Sequence, residues 1–424
     1  MRKAPVTTIL DPIEISAVLL ECAAQRCLIF SFDLMIVGSE LQDAILAKLQ
    51  RMGFEPDEVM LLASHTHTAP ATDQACERLG IPDTAFVGDL AAAAENLVRQ
   101  IQQRQPAEVS FEVFRGRLDH SVSRRRFWPF PTYGRMYGLR FTSIAFAPNP
   151  SAPRDEQATV ALLRASNGKV VGLIWHYTCH PTAAVPQDVI SADYPGAVRR
   201  ALRARFGEIP CVFAQGFCGD TRPNIKTSAR RNGWRERFRR MIRLIMSGPL
   251  FVPPSADDWT RWSQSLAEGV CAIAQGKPVQ RFSPASLQTG SARIALSEFF
   301  TGSTPDKMLA AQAVRIGEDL EIVSLSAEPS VEWQRTLDEA VPVAPGRIRL
   351  YAGYLGALFG YLPTAAQIPQ GGYEVEGFQP LFGLSGHFKP DRISPAIAGC
   401  VRDAFADLER AKLRTTDPLP LPAQ

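Results

Sequence analysis

The chain has 424 residues, and its composition excludes several classes of protein before any motif is considered. Apolar residues make up 46% of it, which allows a large buried core, while the formal net charge is only +3. A balance so close to neutral predicts no nucleic-acid partner. We find neither a secretory signal pattern nor an apolar run long enough to cross a bilayer. Because the eight cysteines also include no C-x-x-C pair, we expect a cytoplasmic protein with reduced thiols.

Strand-like and helix-like segments alternate along the chain, which predicts an α/β fold with mixed β-sheets flanked by helices. Strands are predicted at 27–36, 58–63, 108–117, 139–147, 158–164, 170–177, 210–215, 284–296, 320–326 and 347–352. Helices are predicted at 39–52, 84–104, 193–206, 255–275, 328–339 and 392–413. No clear linker divides the chain, so we expect a single large domain over 1–413 and a Pro-rich flexible tail over 414–424.

Four of the six histidines fall into two short clusters, each directly after an apolar strand-like run. The first cluster holds His65 and His67, and the second holds His176 and His180. Neutral imidazole is the commonest metal ligand, and a catalytic zinc needs about three protein ligands and an open position. We expect one histidine of each cluster to bind a metal and the others to orient ligands, move protons or pack. The spacing alone does not choose between His176 and His180.

Two acidic residues also follow predicted strands. Asp220 lies in a Gly-rich turn, where it could orient a ligand histidine or simply belong to an ordinary turn. Glu328 ends the strand predicted at 320–326. It could be a metal ligand, or an acid that the dipole of the following helix stabilises.

Taken in order, these segments resemble the catalytic domain of the neutral (alkaline, non-lysosomal) ceramidases. The resemblance covers about residues 27–375. It is carried by 64–70 (SHTHTAP, similar to Ser-His-Thr-His-Ser-Gly-Pro), 180–182 (HPT), 191–196 (SADYPG), 219–224 (GDTRPN), 327–329 (AEP) and two tyrosines twelve residues apart, Tyr361 and Tyr373.

The resemblance implies a single catalytic domain that holds Zn²⁺ through His65, His180, Glu328 and Tyr361. It further implies that His67 moves protons and that Tyr373 helps to hold the oxyanion, with Asp220 and Arg222 in the same loop. The function it predicts is a zinc-dependent amidohydrolase that cleaves a carboxamide C–N bond with metal-bound water.

Arg222 departs from the pattern, because it occupies the place of a loop serine that the family uses as a nucleophile. Arginine cannot form an acyl intermediate, but it can bind a carboxylate or phosphate through two parallel hydrogen bonds. We also expect the family's β-rich C-terminal domain to be absent. We therefore expect a small-molecule amide or lipid-like substrate other than ceramide. The alternatives are a non-catalytic zinc- or ligand-binding homologue and a metal-dependent esterase or phosphoesterase.

A basic stretch covers residues 222–243, and at helical spacing its segment 234–245 carries an apolar stripe. This pattern is typical of a helix that makes peripheral contact with a membrane, of a lid over an anionic substrate, or of a surface helix whose apolar face packs on the core. A second basic and aromatic cluster, 124–130, resembles the Asn-Arg-Arg region of the family, and this resemblance implies that it lines the substrate cleft. The oligomeric state is not predicted.

Overall fold

The computed structural model describes residues 6, 8–76, 78–128, 132–134, 138–140, 144–184, 186, 188–227, 238, 241, 250–302 and 307–416. Helices in this part of the chain are α1 (Ser39–Gln50), α2 (Thr84–Gln102), α3 (Asp193–Phe206), α4 (Ala256–Ala274), α5 (Trp333–Ala340) and α6 (Pro390–Thr416). Strands are β1 (Ile15–Cys22), β2 (Gln25–Phe32), β3 (Val59–Ala63), β4 (Val109–Arg117), β5 (Ser121–Phe127), β6 (Thr132–Gly134), β7 (Gly138–Arg140), β8 (Ile144–Asn149), β9 (Gln157–Ala165), β10 (Val170–Tyr177), β11 (Cys211–Gln215), β12 (Thr221–Pro223), β13 (Gln280–Phe282), β14 (Leu287–Ala295), β15 (Met308–Ile316), β16 (Leu320–Leu325), β17 (Glu328–Pro329), β18 (Ile348–Ala352) and β19 (Tyr361–Leu362).

Three sheets share the central core. Their strand orders are β1-β2-β3, β11-β10-β9-β4-β13 and β14-β15-β16-β18. Each contains one parallel pair, β2 with β3, β10 with β11, and β16 with β18, and the other pairs are antiparallel. Apolar side chains from all three sheets meet in one buried cluster, which includes Ile29, Ile174 and Ile322. This arrangement confirms the predicted α/β class with mixed sheets and flanking helices.

The helices cover the outer faces of these sheets. Helices α3 and α4 pack on the five-stranded sheet through buried residues such as Val198 and Leu266. Helices α1, α2 and α6 belong to a second large cluster with the other two sheets. No helix in the described part of the chain is both long and apolar enough to cross a membrane.

The parallel pairs determine where functional side chains gather, because their carboxyl ends point the same way. Backbone hydrogen bonds tie together the segments that follow these ends: Ala63 N to Tyr354 O at 3.1 Å, Gly216 N to Tyr177 O at 3.0 Å, and Gly353 N to Gln215 O at 3.0 Å. The ends of β3, β10, β11 and β18 are therefore held against one another by the main chain.

Several predicted elements differ from the structure. The helix predicted at 328–339 begins at Trp333, and Glu328 instead lies in β17. Strands β1, β5 and β15 were absent from the prediction. Helix α6 continues to Thr416, into the predicted tail, and residues 417–424 lie outside the described part. Most of the predicted apolar stripe at 234–245 also lies outside it, and the described Phe238 and Met241 are exposed.

Candidate metal centre

Three imidazole nitrogens meet at one point beyond the ends of β3 and β10. The Nε2 atoms of His65 and His180 lie 3.0 Å apart, and each lies 3.2 Å from Nε2 of His67. Nitrogen ligands around a tetrahedral zinc, at ~2.0–2.1 Å from the ion, lie about 3.3 Å from one another. The separations in this structure are therefore close to those of a metal centre.

The backbone fixes the orientation of His65. It follows β3 with φ of 64°, a left-handed conformation that is uncommon outside glycine and that turns the ring away from the strand direction. Its Nδ1 lies 2.7 Å from the carbonyl oxygen of Met35, and the ring stacks on buried Tyr354 at 4.0 Å between centroids. Because a carbonyl only accepts, Nδ1 carries the proton and the lone pair of neutral His65 is on Nε2.

His180 is anchored in the same way. Its Nδ1 lies 3.2 Å from the carbonyl oxygen of Cys218, so its Nε2 lone pair also faces the cluster. The following loop is held by buried Asp193, whose carboxylate accepts hydrogen bonds from the backbone N–H groups of Ala183 and Ala184 at 3.0 and 2.9 Å. Backbone carbonyls are common partners of ligand histidines.

A carboxylate completes the cluster. Glu328 is buried in β17, and its Oε2 lies 3.1 Å from Nε2 of His65 and 3.9 Å from Nε2 of His180. This oxygen has no hydrogen-bond donor among the described residues. Two anchored nitrogen lone pairs and an unsatisfied carboxylate oxygen thus face one another without an intervening proton. Such a donor set fits a divalent cation, which would offset their mutual repulsion and the cost of burial.

His67 differs from the other two histidines in exposure and anchoring. His65 and His180 are fully buried, whereas His67 faces a cavity, and its Nδ1 has no hydrogen-bond partner among the described residues. Although His67 faces the cavity, the protein atoms around its ring reduce its solvation, and this effect together with His65, Arg124 and Arg222 lowers the pKa of His67 well below its ordinary value. Burial, His65 and Arg124 likewise lower the pKa of His180 well below its ordinary value. Neutral rings of this kind can bind a metal or accept a proton.

The cavity beside the cluster has a volume of about 560 Å³. Its wall includes His67, Arg124, Arg222, Tyr361 and Tyr373. This places Arg124 of the predicted basic and aromatic cluster in the cavity wall.

The two tyrosines stand edge to face, with ring centroids 5.3 Å apart. Residue Tyr361 pairs with Glu328 across β17 and β19, and its ring lies parallel to that of His180 at 6.5 Å. Burial and Glu328 raise the pKa of Tyr361 well above its ordinary value, against the opposing effect of Arg124. The structure thus brings both predicted tyrosines to the site.

A buried ion network supports the cavity wall. Arg124 Nε donates to Glu374 Oε1 at 2.7 Å, and Arg125 Nη1 donates to Glu374 Oε2 at 2.6 Å. Arg124 also donates to the carbonyl oxygen of Gly219 at 2.7 Å. The network links β5 to the segment that carries Tyr373.

The sequence alone did not indicate a role for Glu374, Tyr354 or Met35. For Glu374, the signal in the sequence was its position beside Tyr373.

Of the two roles that the sequence left open for Asp220, orienting a histidine or belonging to an ordinary turn, the first has no hydrogen bond to a histidine behind it in the described part of the chain. The carboxylate of Asp220 accepts from Val331 N at 3.0 Å and from Gln367 Nε2 at 3.2 Å. It therefore fixes the segment just after Glu328, while backbone carbonyls orient His65 and His180. Burial raises the pKa of Asp220 to about 6, although the hydrogen bond from Val331 opposes this shift.

Three other residues near the second histidine cluster, His176, Cys179 and Cys218, do not offer ligand atoms to the site. His176 is buried away from the cluster, with Nε2 3.0 Å from the carbonyl oxygen of Tyr351, so His180 is the member of the second cluster that reaches the site. Cys179 and Cys218 are buried, and burial raises the pKa of both thiols. Their thiols stay protonated near neutral pH, which does not favour a role as thiolate ligands.

This chain is therefore an α/β protein with a candidate metal centre. The centre consists of nitrogen and carboxylate donors beside a cavity, at the carboxyl ends of parallel strand pairs.

Comparison with known proteins gives no matching family model and no match among curated proteins. Among solved structures, a neutral ceramidase from Pseudomonas aeruginosa matches with a TM-score of 0.62 and 17% identity, over 95% of this chain and 68% of that chain. A ceramidase complexed with C2 matches with a TM-score of 0.65 and 17% identity, over 97% of this chain and 71% of that chain. The chain has the fold of the neutral ceramidases, which confirms the resemblance at the level of fold.

Proposed function

We propose that this chain is a zinc-dependent amidohydrolase that cleaves a carboxamide C–N bond. The observation that carries the proposal is the donor set at the end of β3 and β10. In that set, the anchored rings of His65 and His180 and the unsatisfied Oε2 of Glu328 face one another. The cavity beside the set and the likeness in fold to ceramidases support hydrolysis as the use of the site.

In this proposal His65, His180 and Glu328 hold the ion, and Tyr361 adds a phenolic oxygen from its place beside Glu328. When bound, zinc supplies Lewis acidity, which lowers the pKa of a coordinated water to ~7 and polarises a carbonyl. The chain's own residues bind the amide in the cavity of about 560 Å³ that lies beside the cluster.

His67 is proposed as the group that moves the proton from water to the leaving nitrogen. It is the histidine of the cluster that faces the cavity, and its Nδ1 lacks the anchoring bond of the other two. Tyr373 is proposed to donate its hydroxyl hydrogen to the oxyanion. Removal of such a donor typically costs about 3–4 kcal/mol in transition-state stabilisation.

Metal content by elemental analysis tests the proposal. We expect about one zinc per chain in the wild type, and none in the His65→Ala, His180→Ala double variant. A His387→Ala variant, which removes an exposed histidine outside the site, is expected to keep its zinc. Chelation is expected to abolish hydrolysis of short N-acyl amides, and added zinc to restore it.

The single variant His67→Ala separates the two roles open to this residue. Proton transfer predicts retained zinc with a kcat lower by about 10²–10⁴-fold. Loss of zinc would instead make His67 a ligand. A wild type that binds no zinc on reconstitution refutes the proposal. Bound zinc without turnover of amides, esters and lactones would leave a binding protein.

A further inference from the structure

Arg222 carries a positive charge that no acidic side chain of the described residues neutralises. Among the described residues, the groups that influence its pKa are Arg124, Cys179 and Tyr361, and none of these is a carboxylate. Arg124, by contrast, is paired with Glu374. Asp188 lines the same cavity, but it is exposed and forms no ion pair with Arg222. A partly buried guanidinium without an acid is unusual, because burial of an unpaired charge is costly.

The surroundings of Arg222 hold the guanidinium in place. Its Cζ lies 5.4 Å from the ring centre of Phe146 and 5.1 Å from that of Phe251, and the two rings contact each other edge to face at 5.7 Å. The backbone of Arg222 pairs with Val122 of β5. A guanidinium packed against aromatic rings keeps its N–H groups free for a planar anion at the open side.

The open side of Arg222 is the substrate cavity. Arg222 lines both the cavity of the metal centre and a neighbouring cavity of about 450 Å³, and the two share Arg222 and Thr182. It also lies close enough to His67 to lower the pKa of that ring. An anion bound to Arg222 would thus lie a short distance from the bond that is cleaved.

We propose that Arg222 binds a carboxylate of the substrate, so that the substrate class of this site is an amide that bears a carboxylate rather than an uncharged amide. This inference rests on the proposed amide hydrolysis and adds its specificity. A carboxylate fits because it is planar and can accept two parallel N–H bonds from one guanidinium. Burial and the charge of Arg124 lower the pKa of Arg222 to about 10, and the group stays cationic at neutral pH.

Two substrate pairs test the proposal, since the carboxylate can lie on either side of the amide. The first pair is N-hexanoylglycine and uncharged N-(2-hydroxyethyl)hexanamide. The second is N-propyladipamic acid and uncharged N-propylhexanamide. We expect the zinc-loaded wild type to prefer the acid in at least one pair by tenfold or more in kcat/KM. Arg222→Gln is expected to lower that preference by about 10- to 100-fold, chiefly through KM, because a charged hydrogen-bonded contact is lost.

Matched variants complete the design. Arg222→Lys keeps the charge but not the two-pronged geometry, so it should restore only part of the preference. Arg335→Gln removes an exposed arginine near Glu339 and should leave the preference unchanged. The proposal is overturned if the wild type prefers no acid in either pair, or if Arg222→Gln lowers both members of a pair equally.

A second readout separates this inference from the proposed function. If the zinc-loaded wild type cleaves none of the four compounds, the hydrolase proposal fails, and their binding is then compared by calorimetry. Tighter binding of an acid than of its uncharged counterpart, present in the wild type and lost in Arg222→Gln, would still support a carboxylate site. Equal binding of acid and uncharged counterpart would overturn it.

Discussion

Replacement of Glu374 by glutamine is expected to destabilise the protein strongly. The carboxylate accepts from two guanidiniums at 2.7 and 2.6 Å, and the side chains of Glu374, Arg124 and Arg125 are only 2%, 3% and 6% exposed. Burial raises the pKa of Glu374, but the two guanidiniums outweigh this effect and hold it below its ordinary value. The carboxylate is therefore charged at neutral pH.

The size of this destabilisation follows from the interactions that the amide of glutamine cannot make. Each charged hydrogen bond contributes roughly 1.5–3 kcal/mol, and removing one partner of a buried ion pair typically costs about 3–5 kcal/mol. Glutamine keeps one acceptor oxygen and leaves two buried cations without a counter-charge. We expect a loss of about 3–5 kcal/mol in the free energy of unfolding.

Urea unfolding, followed by tryptophan fluorescence and circular dichroism, measures this loss, and the chain has six tryptophans. Chelator is present throughout, so that metal binding does not add to the stability of any variant. The control is Glu298→Gln, whose partner Arg392 is exposed, and whose loss should cost less than about 1 kcal/mol. A loss below about 1 kcal/mol for Glu374→Gln would refute the reasoning.

Two further predictions concern the loop between β11 and β12. Gly219→Ala is expected to cost about 1–3 kcal/mol and to reduce zinc content, because its Cβ would overlap the carbonyl oxygen of Glu328 and lie 2.9 Å from that of Pro329. The matched control is Gly88→Ala on α2, where the added Cβ lies in open space, and this variant should stabilise the protein by up to about 1 kcal/mol. Equal effects of the two variants on stability would contradict this account. Asp220 has a pKa of about 6 in the folded protein and 3.8 as its ordinary value, so protonation stabilises the fold as the pH falls through 6. The stability of the wild type relative to Asp220→Asn should rise by about 1.4 kcal/mol between pH 7.5 and pH 5, and a constant difference would show that this pKa is not raised.

The location of the histidines at strand ends was predictable from the sequence, because the relevant signal is local. An apolar run followed by histidines marks the end of a buried strand, and His65, His67 and His180 all come together at such ends. The pairing that brings them together was not predictable from either cluster alone. It depends on the contact of three sheets in one core.

Local propensity misled the prediction in two places. Strand β15 has the sequence MLAAQAVRI, which is rich in helix-forming residues, but it lies between β14 and β16 and pairs with both. Glu328 and Pro329 are typical of the first turn of a helix, whereas the N–H of Glu328 donates to Gly360 O at 2.9 Å. In both cases hydrogen bonds to distant strands outweigh propensities of a few tenths of a kcal/mol per residue.

The ion network around Glu374 shows a second reason why part of the site could not be predicted from the sequence. Arg124 and Glu374 are 250 positions apart, and each on its own is an ordinary charged residue of the sequence. The pairing becomes evident only when β5 and the segment after Tyr361 lie side by side. The charge of Arg222, which no acidic side chain of the described residues neutralises, is equally hard to recognise in the sequence, because pairing is a property of the folded chain.

Main-chain hydrogen bonds, rather than the side chain at position 222, fix the loop beside the candidate metal centre. Gly219 N donates to Pro329 O at 2.8 Å, and Arg124 N donates to Asp220 O at 2.8 Å, so the loop before β12 is fixed without any atom of the Arg222 side chain. A change of residue at this position can therefore alter what the cavity binds while His65, His180 and Glu328 stay in place. An arginine side chain at position 222 is therefore compatible with the arrangement of His65, His180 and Glu328.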